Sequence, residues 1–369
     1  MKKFYILLLI IGLLPAREVL SQDFKFSGEI RPRSEFRNGY GALNGMENDP
    51  AIFISQRSRL NFDYSADKVK VGLSLQDVRV WGQAPQLNKN DGLSSIHQAW
   101  GEVVLTKRIS LKAGRQELIY DDHRIFGNVG WAQQARSHDA AILKYEGKTS
   151  EMHIGVAYNQ DTERKFATIY ELTNNYKTLQ YLWINQKINN IGVSFLLLNN
   201  GRDFYTVGSP INPTAVTNNY ETLYSQTIGG RLTSKFGAIK ANAAFYVQTG
   251  KDEANHDLNA NYLSLDASYN VSKTLSAGVG YERLSGTSSA DKAVEGYENN
   301  SFTPLYGTNH KFNGHMDYFY VGNHINSVGL QDIYAFANYS KKQFSVKTTL
   351  HLFGTAADLQ DIEKNVVNS

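Results

Sequence analysis

The stretch "GEIRPRSEFR", Gly28 to Arg37, decides the fold class. Every second residue is charged: Glu29, Arg31, Arg33, Glu35 and Arg37. The set between them is Ile30, Pro32, Ser34 and Phe36. In an extended strand these two sets face opposite ways. A strand of a soluble sheet would bury the apolar set against another layer and leave the charges to solvent. A strand of a membrane barrel would turn the apolar set to lipid and the charges to a wet lumen. Period two alone does not separate these readings.

The same alternation recurs along the chain. Ile52, Ile54, Leu60, Phe62 and Tyr64 alternate with Arg57, Arg59, Asn61 and Asp63. Ile239, Ala241, Ala243, Phe245 and Val247 oppose Lys240, Asn242 and Gln248; Leu263, Leu265, Ala267 and Tyr269 oppose Ser264, Asp266, Ser268 and Asn270. The period is two rather than 3.6. Around Gln76–Asp77 the apolar parity switches, which predicts a β-bulge. Fifteen strands are expected, near 24–37, 52–65, 68–81, 95–106, 108–119, 138–147, 150–159, 177–187, 190–199, 221–233, 236–249, 258–271, 274–284, 330–340 and 343–355.

The connections separate the two readings. Short turns near 65–68, 106–108, 147–150, 188–190, 233–237, 271–274 and 340–343 alternate with long connections near 38–51, 82–94, 120–137, 160–176, 200–220, 250–257 and 285–329. Tight turns therefore gather at one end and long loops at the other, the plan of an outer-membrane barrel. Closure also satisfies every backbone group within the protein, which lipid demands. Ile30 and Phe36 are then lipid-facing, and Phe24, Phe26 and Tyr40 are candidates for the interfacial aromatic girdle. The fold class is an all-β, antiparallel up-and-down transmembrane β-barrel.

Composition agrees. Tyr (22) and Phe (18) are abundant, Gly (30) supplies turns and Pro (7) is scarce, as suits β-structure. With no Cys, rigidity rests on hydrogen bonding and packing. Lys2 and Lys3 precede an apolar run from Phe4 to Leu14, and Val19 and Ser21 fit the −3 and −1 positions of a signal-peptidase site. Residues 1–21 read as a signal peptide, since eleven apolar residues are too few for the ~20 of a spanning helix. Removing them takes away Lys2, Lys3, Arg17 and Glu18, so the formal +3 becomes +1. Residues 22–369 form the barrel domain. Fifteen is an odd count for a bacterial barrel, and the expectation is that the C-terminal strands are missing.

The segment "AGRQELIYDDHRIFGNVGWAQQARSHDAAILKY" (113–145) resembles the alginate-export family of outer-membrane porins in its Bacteroidetes form. Gly114-Arg115-Gln116, Asp122, Arg124, Gly127, Trp131, Arg136 and Asp139-Ala140 carry the likeness. "QRSRLNF", "QDVRVWG", "HQAWGEVVL" and "FTPLYGTNHKFNGHMDYFYVG" (302–322) extend it over the mature chain. The resemblance implies an eighteen-stranded barrel with an electropositive conduit for an anionic polysaccharide.

A conduit for polyanions needs fixed cations at intervals. Arginine suits it, with a fork that pairs carboxylates and never deprotonates. The expected lumen cations are Arg31, Arg33, Arg57, Arg59, Arg115, Arg136, Arg231 and Lys240, together with Arg37 and Lys347; Arg115 and Arg136 come from the family motif and the rest from alternation. Glu29, Glu35, Asp63, Glu102, Glu117, Asp139 and Asp266 are expected to share the lumen, and many Arg–acid pairs to brace the wall rather than meet cargo. The loops at 120–137 and 285–329 are long enough to fold inward and narrow the channel. Asp121, Asp122 and His123, and His310, His315 and His324, lack metal-ligand spacing, no Ser–His pairing is placed by motif, and no Gly-rich phosphate loop is present. The reading is a non-enzymatic porin of the bacterial outer membrane, without cofactor or metal. Its partners are lipid and anionic solutes, with no nucleic acid. The alternative is a surface or periplasmic β-sheet protein that binds carbohydrate through Tyr-rich loops.

Overall fold

The alternation becomes one sheet of fifteen antiparallel strands, each hydrogen-bonded to its neighbour in chain order. The computed structural model describes residues 22–360, apart from 46, 88–89, 167, 169, 171–174, 207–218 and 320–327, together with 366–367. The expected leader lies outside the described residues. The strands are β1 (Asp23–Arg37), β2 (Ala51–Ser65), β3 (Val69–Val80), β4 (Ser94–Val104), β5 (Ile109–Gln116), β6 (His138–Glu146), β7 (Ser150–Tyr158), β8 (Thr178–Ile188), β9 (Ile191–Thr206), β10 (Asn219–Phe236), β11 (Ile239–Lys251), β12 (Asp257–Asn270), β13 (Leu275–Leu284), β14 (Leu330–Lys341) and β15 (Phe344–Gly354). A two-stranded hairpin, Leu359–Gln360 with Val366–Val367, follows. Among the described residues no pairing joins β1 to β15, so the sheet is not closed, and its fifteen strands fall short of the eighteen the resemblance implies.

Parity on β1 and β2 is as read. Ile30 is 76% exposed and Phe36 67%, while the charged set is half-buried on the other face. Register pairs Ile30 with Ser58 and Arg31 with Arg57. Ile52, Leu60, Phe245, Leu265, Val279, Leu350 and Leu352 continue the exposed apolar face around the sheet. An apolar surface of that extent is stable against lipid and not against water. No described helix is long and apolar enough to cross a membrane; here the strands cross.

Three differences from the sequence reading have local causes. The bulge is not at Gln76–Asp77: the register shifts between Ser74 and Leu75, and the extra residue is His97 on β4, between the partners Gln98 and Ile96. Strands β9 and β10 extend further than expected and pair from Ile191–Ser234 up to Thr206–Asn219. Tyr40 is no girdle residue. Its hydroxyl donates to Asp317 at 2.5 Å and its ring lies 4.3 Å from the Arg37 guanidinium, so it faces a loop. Phe24 and Phe26 do face outward, with Phe26 packed on Phe62 at 5.0 Å.

Inner-face glycines let aromatic rings lie flat on the sheet. Gly72, Gly155 and Gly280 sit directly opposite Trp100, Tyr181 and Tyr334, and a Cβ at any of them would run into the ring. The buried apolar core lies on this same inner side. Leu179, Tyr181, Trp183, Leu196, Leu198, Tyr246 and Tyr262 from the wall pack with Leu118, Tyr120, Ile125, Phe126, Phe302 and Tyr306 from two loops. The sheet thus wraps around its own connections.

Candidate functional site: the lumen and its inward loops

Two long connections occupy the lumen, 117–137 and 285–319. They press together backbone to backbone: Phe126 and Tyr306 form a parallel bridge, and the Gly127 amide donates to the Tyr306 carbonyl at 2.9 Å. Glycine is required at the crossing, since a Cβ on Gly127 would collide with Thr308 and one on Gly307 with the Arg124 backbone. The inner loop is tightly turned, with positive φ at Asp121, His123, Val129 and Ala135. For Val129, a β-branched residue, that conformation is costly and persists only because the surroundings fix it.

The Thr308 hydroxyl accepts from the Val129 amide at 3.0 Å, and the residues that follow are clamped by the arginine wall. Arg31 donates to the carbonyls of Gly130 (2.8 Å) and Ala132 (3.0 Å) and to the Gln133 side chain (2.8 Å). Arg33 donates to the Trp131 carbonyl at 2.7 Å and pairs with Glu35 at 2.8 Å. Arg57, buried, pairs with Glu29 at 2.7 Å and reaches the carbonyls of Ala132 and Gln133 at 3.4 Å. Gln133 returns a bond to Ser55 at 2.9 Å, and Gln76 donates to the Gln134 carbonyl at 3.1 Å. Arg59, on the same wall, donates to Gln76 at 3.0 Å. Arg31 and Arg57 are direct cross-strand partners, an unfavourable pairing of like charges; Glu29 and the row of loop carbonyls between them offset it.

The same loop is tied to the far wall. Arg231 on β10 pairs with Asp122. Arg124, fully buried, pairs with Glu282 on β13 at 3.1 Å and donates to Asn313 at 3.2 Å. Arg136 donates to the Gly307 carbonyl at 3.0 Å. Loop 117–137 therefore spans the lumen from β1–β3 to β10–β13; of the expected inward loop 285–329, residues 320–327 lie outside the described residues.

Two expected lumen charges are elsewhere. Arg115 and Asp139 pair at 2.7 Å on the outer face, half-exposed, because they share parity with Leu111, Ala113 and Leu143. Asp77 and Arg79, also paired, are joined by Asp91 at 2.8 Å near the same long-loop end. Lys240 keeps inner-face parity with Asn242, Ala244 and Gln248 but lies at the short-turn end, exposed and away from the loops. Lys347 is on the inner face of β15, 5.8 Å from the Phe336 ring.

The loop environment moves several titrating groups. Burial pushes the Asp121 carboxyl up, against the Trp183 indole that donates to it at 3.3 Å. Burial also acts to raise Glu117, but hydrogen bonds from His97 (2.7 Å) and Asn128 (2.9 Å) win and hold it below the usual carboxylate range. Burial, with Lys311 beside it, lowers His123. His310 pairs with Asp317 at 2.8 Å and stacks on Trp131 at 4.1 Å; His324 lies outside the described residues.

Sequence reasoning named Arg124 only in the family likeness and missed its pairing with Glu282 and the carbonyl clamp. A signal for the filled lumen was present on β8, where Leu179, Tyr181, Leu182, Trp183 and Ile184 make both faces apolar. A strand with one face on lipid and the other apolar needs a cover inside.

An antiparallel up-and-down sheet with a lipid-compatible outer face, charged inner wall and inward-folded loops is the architecture of outer-membrane β-barrels of porin type, here with the sheet open between β15 and β1. Solved structures share this architecture. The chain is similar to OccK8 (OprE) of Pseudomonas aeruginosa (TM-score 0.53, 10% identity, covering 86% of this chain and 79% of that one). It is also similar to the anion-selective porin of Comamonas acidovorans (TM-score 0.51, 11% identity, 94% of each chain). OmpT, an outer membrane protein of Vibrio cholerae, in its trimer form, has a TM-score of 0.50 and 12% identity over 94% of this chain and 93% of that one. At these identities the likeness is one of fold. No family model and no curated protein matches the sequence.

Proposed function

We propose that the protein is a passive outer-membrane channel for anionic solutes, with the β1–β2 wall as its anion-attracting surface. The observation that carries this is the charge on that wall. Leaving aside the Lys25–Asp23 pair, the inner faces of β1 and β2 hold Arg31, Arg33, Arg37, Arg57 and Arg59 against Glu29, Glu35 and Asp63. A cation excess in a low-dielectric wall raises the local concentration of anions. The resemblance to alginate-export porins extends the cargo to a polyuronate. The inward loops favour small anions while they stay clamped, and a polymer requires the clamp to yield. The porin-like architecture supports transport over a purely carbohydrate-binding surface role.

The test is a planar-bilayer recording on the full chain. Reversal potentials in a KCl gradient should show anion preference, reduced in Arg59→Ala. Cation preference, or no conductance, would sink the proposal.

A further inference from the structure

The last two strands of the sheet, β14 and β15, have a different chemistry from the arginine wall. Along the inner faces of β14 and β15 the rings of Phe336, Tyr334, His351 and Phe353 follow one another at centroid spacings of 6.3, 5.9 and 5.2 Å. Interplanar angles of 28°, 37° and 5° keep them broadly parallel. Phe319 continues the series 4.4 Å beyond Phe353. The upper two rings, Phe353 and Phe319, pack against the apolar core, but Tyr334 and Phe336 do not belong to it. With His351 they line a lumen cavity of about 640 Å³.

The remaining lining is polar, with Asp122, Asp266, Glu282 and Asp332 against Arg231, Lys311 and Lys347, so the charges nearly balance. Asp122 is paired with Arg231, and Asp332 holds the His351 ring through Nδ1 at 2.9 Å. Asp266 accepts from Asn242 at 2.8 Å. Thr349 lies directly opposite Phe336. Half-buried rings facing a wet cavity, with hydroxyl-binding groups beside them, are the features of a site that takes a solute with one apolar face and a polar rim. An aromatic face carries negative quadrupole density, which attracts the weakly positive C–H face of a sugar ring. A row of such rings, each holding weakly, permits a ligand to step along it.

We propose that β14–β15 form a stacking track for the pyranose rings of a short uncharged oligosaccharide, separate from the arginine wall. Phe336, Tyr334 and His351 supply the faces; Asp266, Asn242 and Thr349 meet the hydroxyls. This goes beyond anion passage and does not depend on it.

The test is calorimetric titration of the refolded full chain in detergent micelles with maltotriose, with cellotriose, and with sorbitol as a ringless polyol. Saturable binding of at least one trisaccharide and none of sorbitol is expected. Phe336→Leu and Tyr334→Leu, which keep bulk but remove the ring, should each weaken it about tenfold. Tyr334→Phe should leave it within about two-fold, and Arg115→Ala, outside the lumen, should leave it unchanged. Equal heats for trisaccharide and sorbitol overturn the track without needing any variant. So does trisaccharide binding that both Leu variants retain. Conductance recorded on the same preparation reads the anion channel separately, so either reading can fail alone.

Discussion

At the scale of single residues, Arg31, Arg33 and Arg57 of the β1–β2 wall work on the protein's own backbone. Arg31 saturates its guanidinium on Gly130, Ala132 and Gln133. Arg31→Ala should loosen the loop, each lost hydrogen bond to a charged group contributing about 1.5–3 kcal/mol. The measured result should be larger and noisier single-channel conductance steps, with bulk folding retained; unchanged steps would show that the loop holds without it. Asp121 gives a pH signature. Its carboxyl is raised in the folded chain, so between the unfolded and the folded value the native state holds a proton that the unfolded chain has lost. That contribution favours folding in acid and is lost as pH rises through the folded value. Asp121→Asn should therefore raise the thermal midpoint at neutral pH, with the gain disappearing at low pH. Asparagine also tolerates the positive φ of 52° found there.

The individual strands show how far the sequence could be read. The faces of β1, β2, β11 and β12 were legible because one face carries most of the apolar residues and the turns are short. The ends of β9 and β10 were not, since a hairpin standing above the lipid has no apolar belt to mark its limits. Nor was the clamp: its acceptors are main-chain carbonyls of residues 130–133, which leave no trace in side-chain chemistry. Arg115 was misplaced for a related reason. In β5, Leu111, Ala113 and Arg115 share one face, and parity put Arg115 outside while motif likeness had placed it inside. The glycine–aromatic pairs offer a direct check on sheet geometry. Gly155→Val should clash with Tyr181 and cost about 1–3 kcal/mol, read as a lower thermal midpoint. Adding Tyr181→Ala should recover the clash but not the lost ring packing.

For the whole molecule, the governing contrast is between a lipid-facing outside and a loop-filled inside. Val279 is 62% exposed on the apolar outer face. Val279→Arg should cost about 2–4 kcal/mol if it lies near the bilayer midplane, seen as reduced insertion into vesicles. Ser268→Arg, on the inner face of the neighbouring strand β12, should insert normally. Equal losses for both would mean that the outer face does not meet lipid.

The outward pairs Arg115–Asp139 and Asp77–Arg79 have a mechanical consequence. They sit at the long-loop ends of β3, β5 and β6, where hydrocarbon cannot accept them and charged lipid headgroups can. Together with Phe24 and Phe26 at the opposite rim, they draw a waterline around this side of the wall. The protein's vertical seat in its bilayer is then fixed by ionic moorings above and aromatic ballast below.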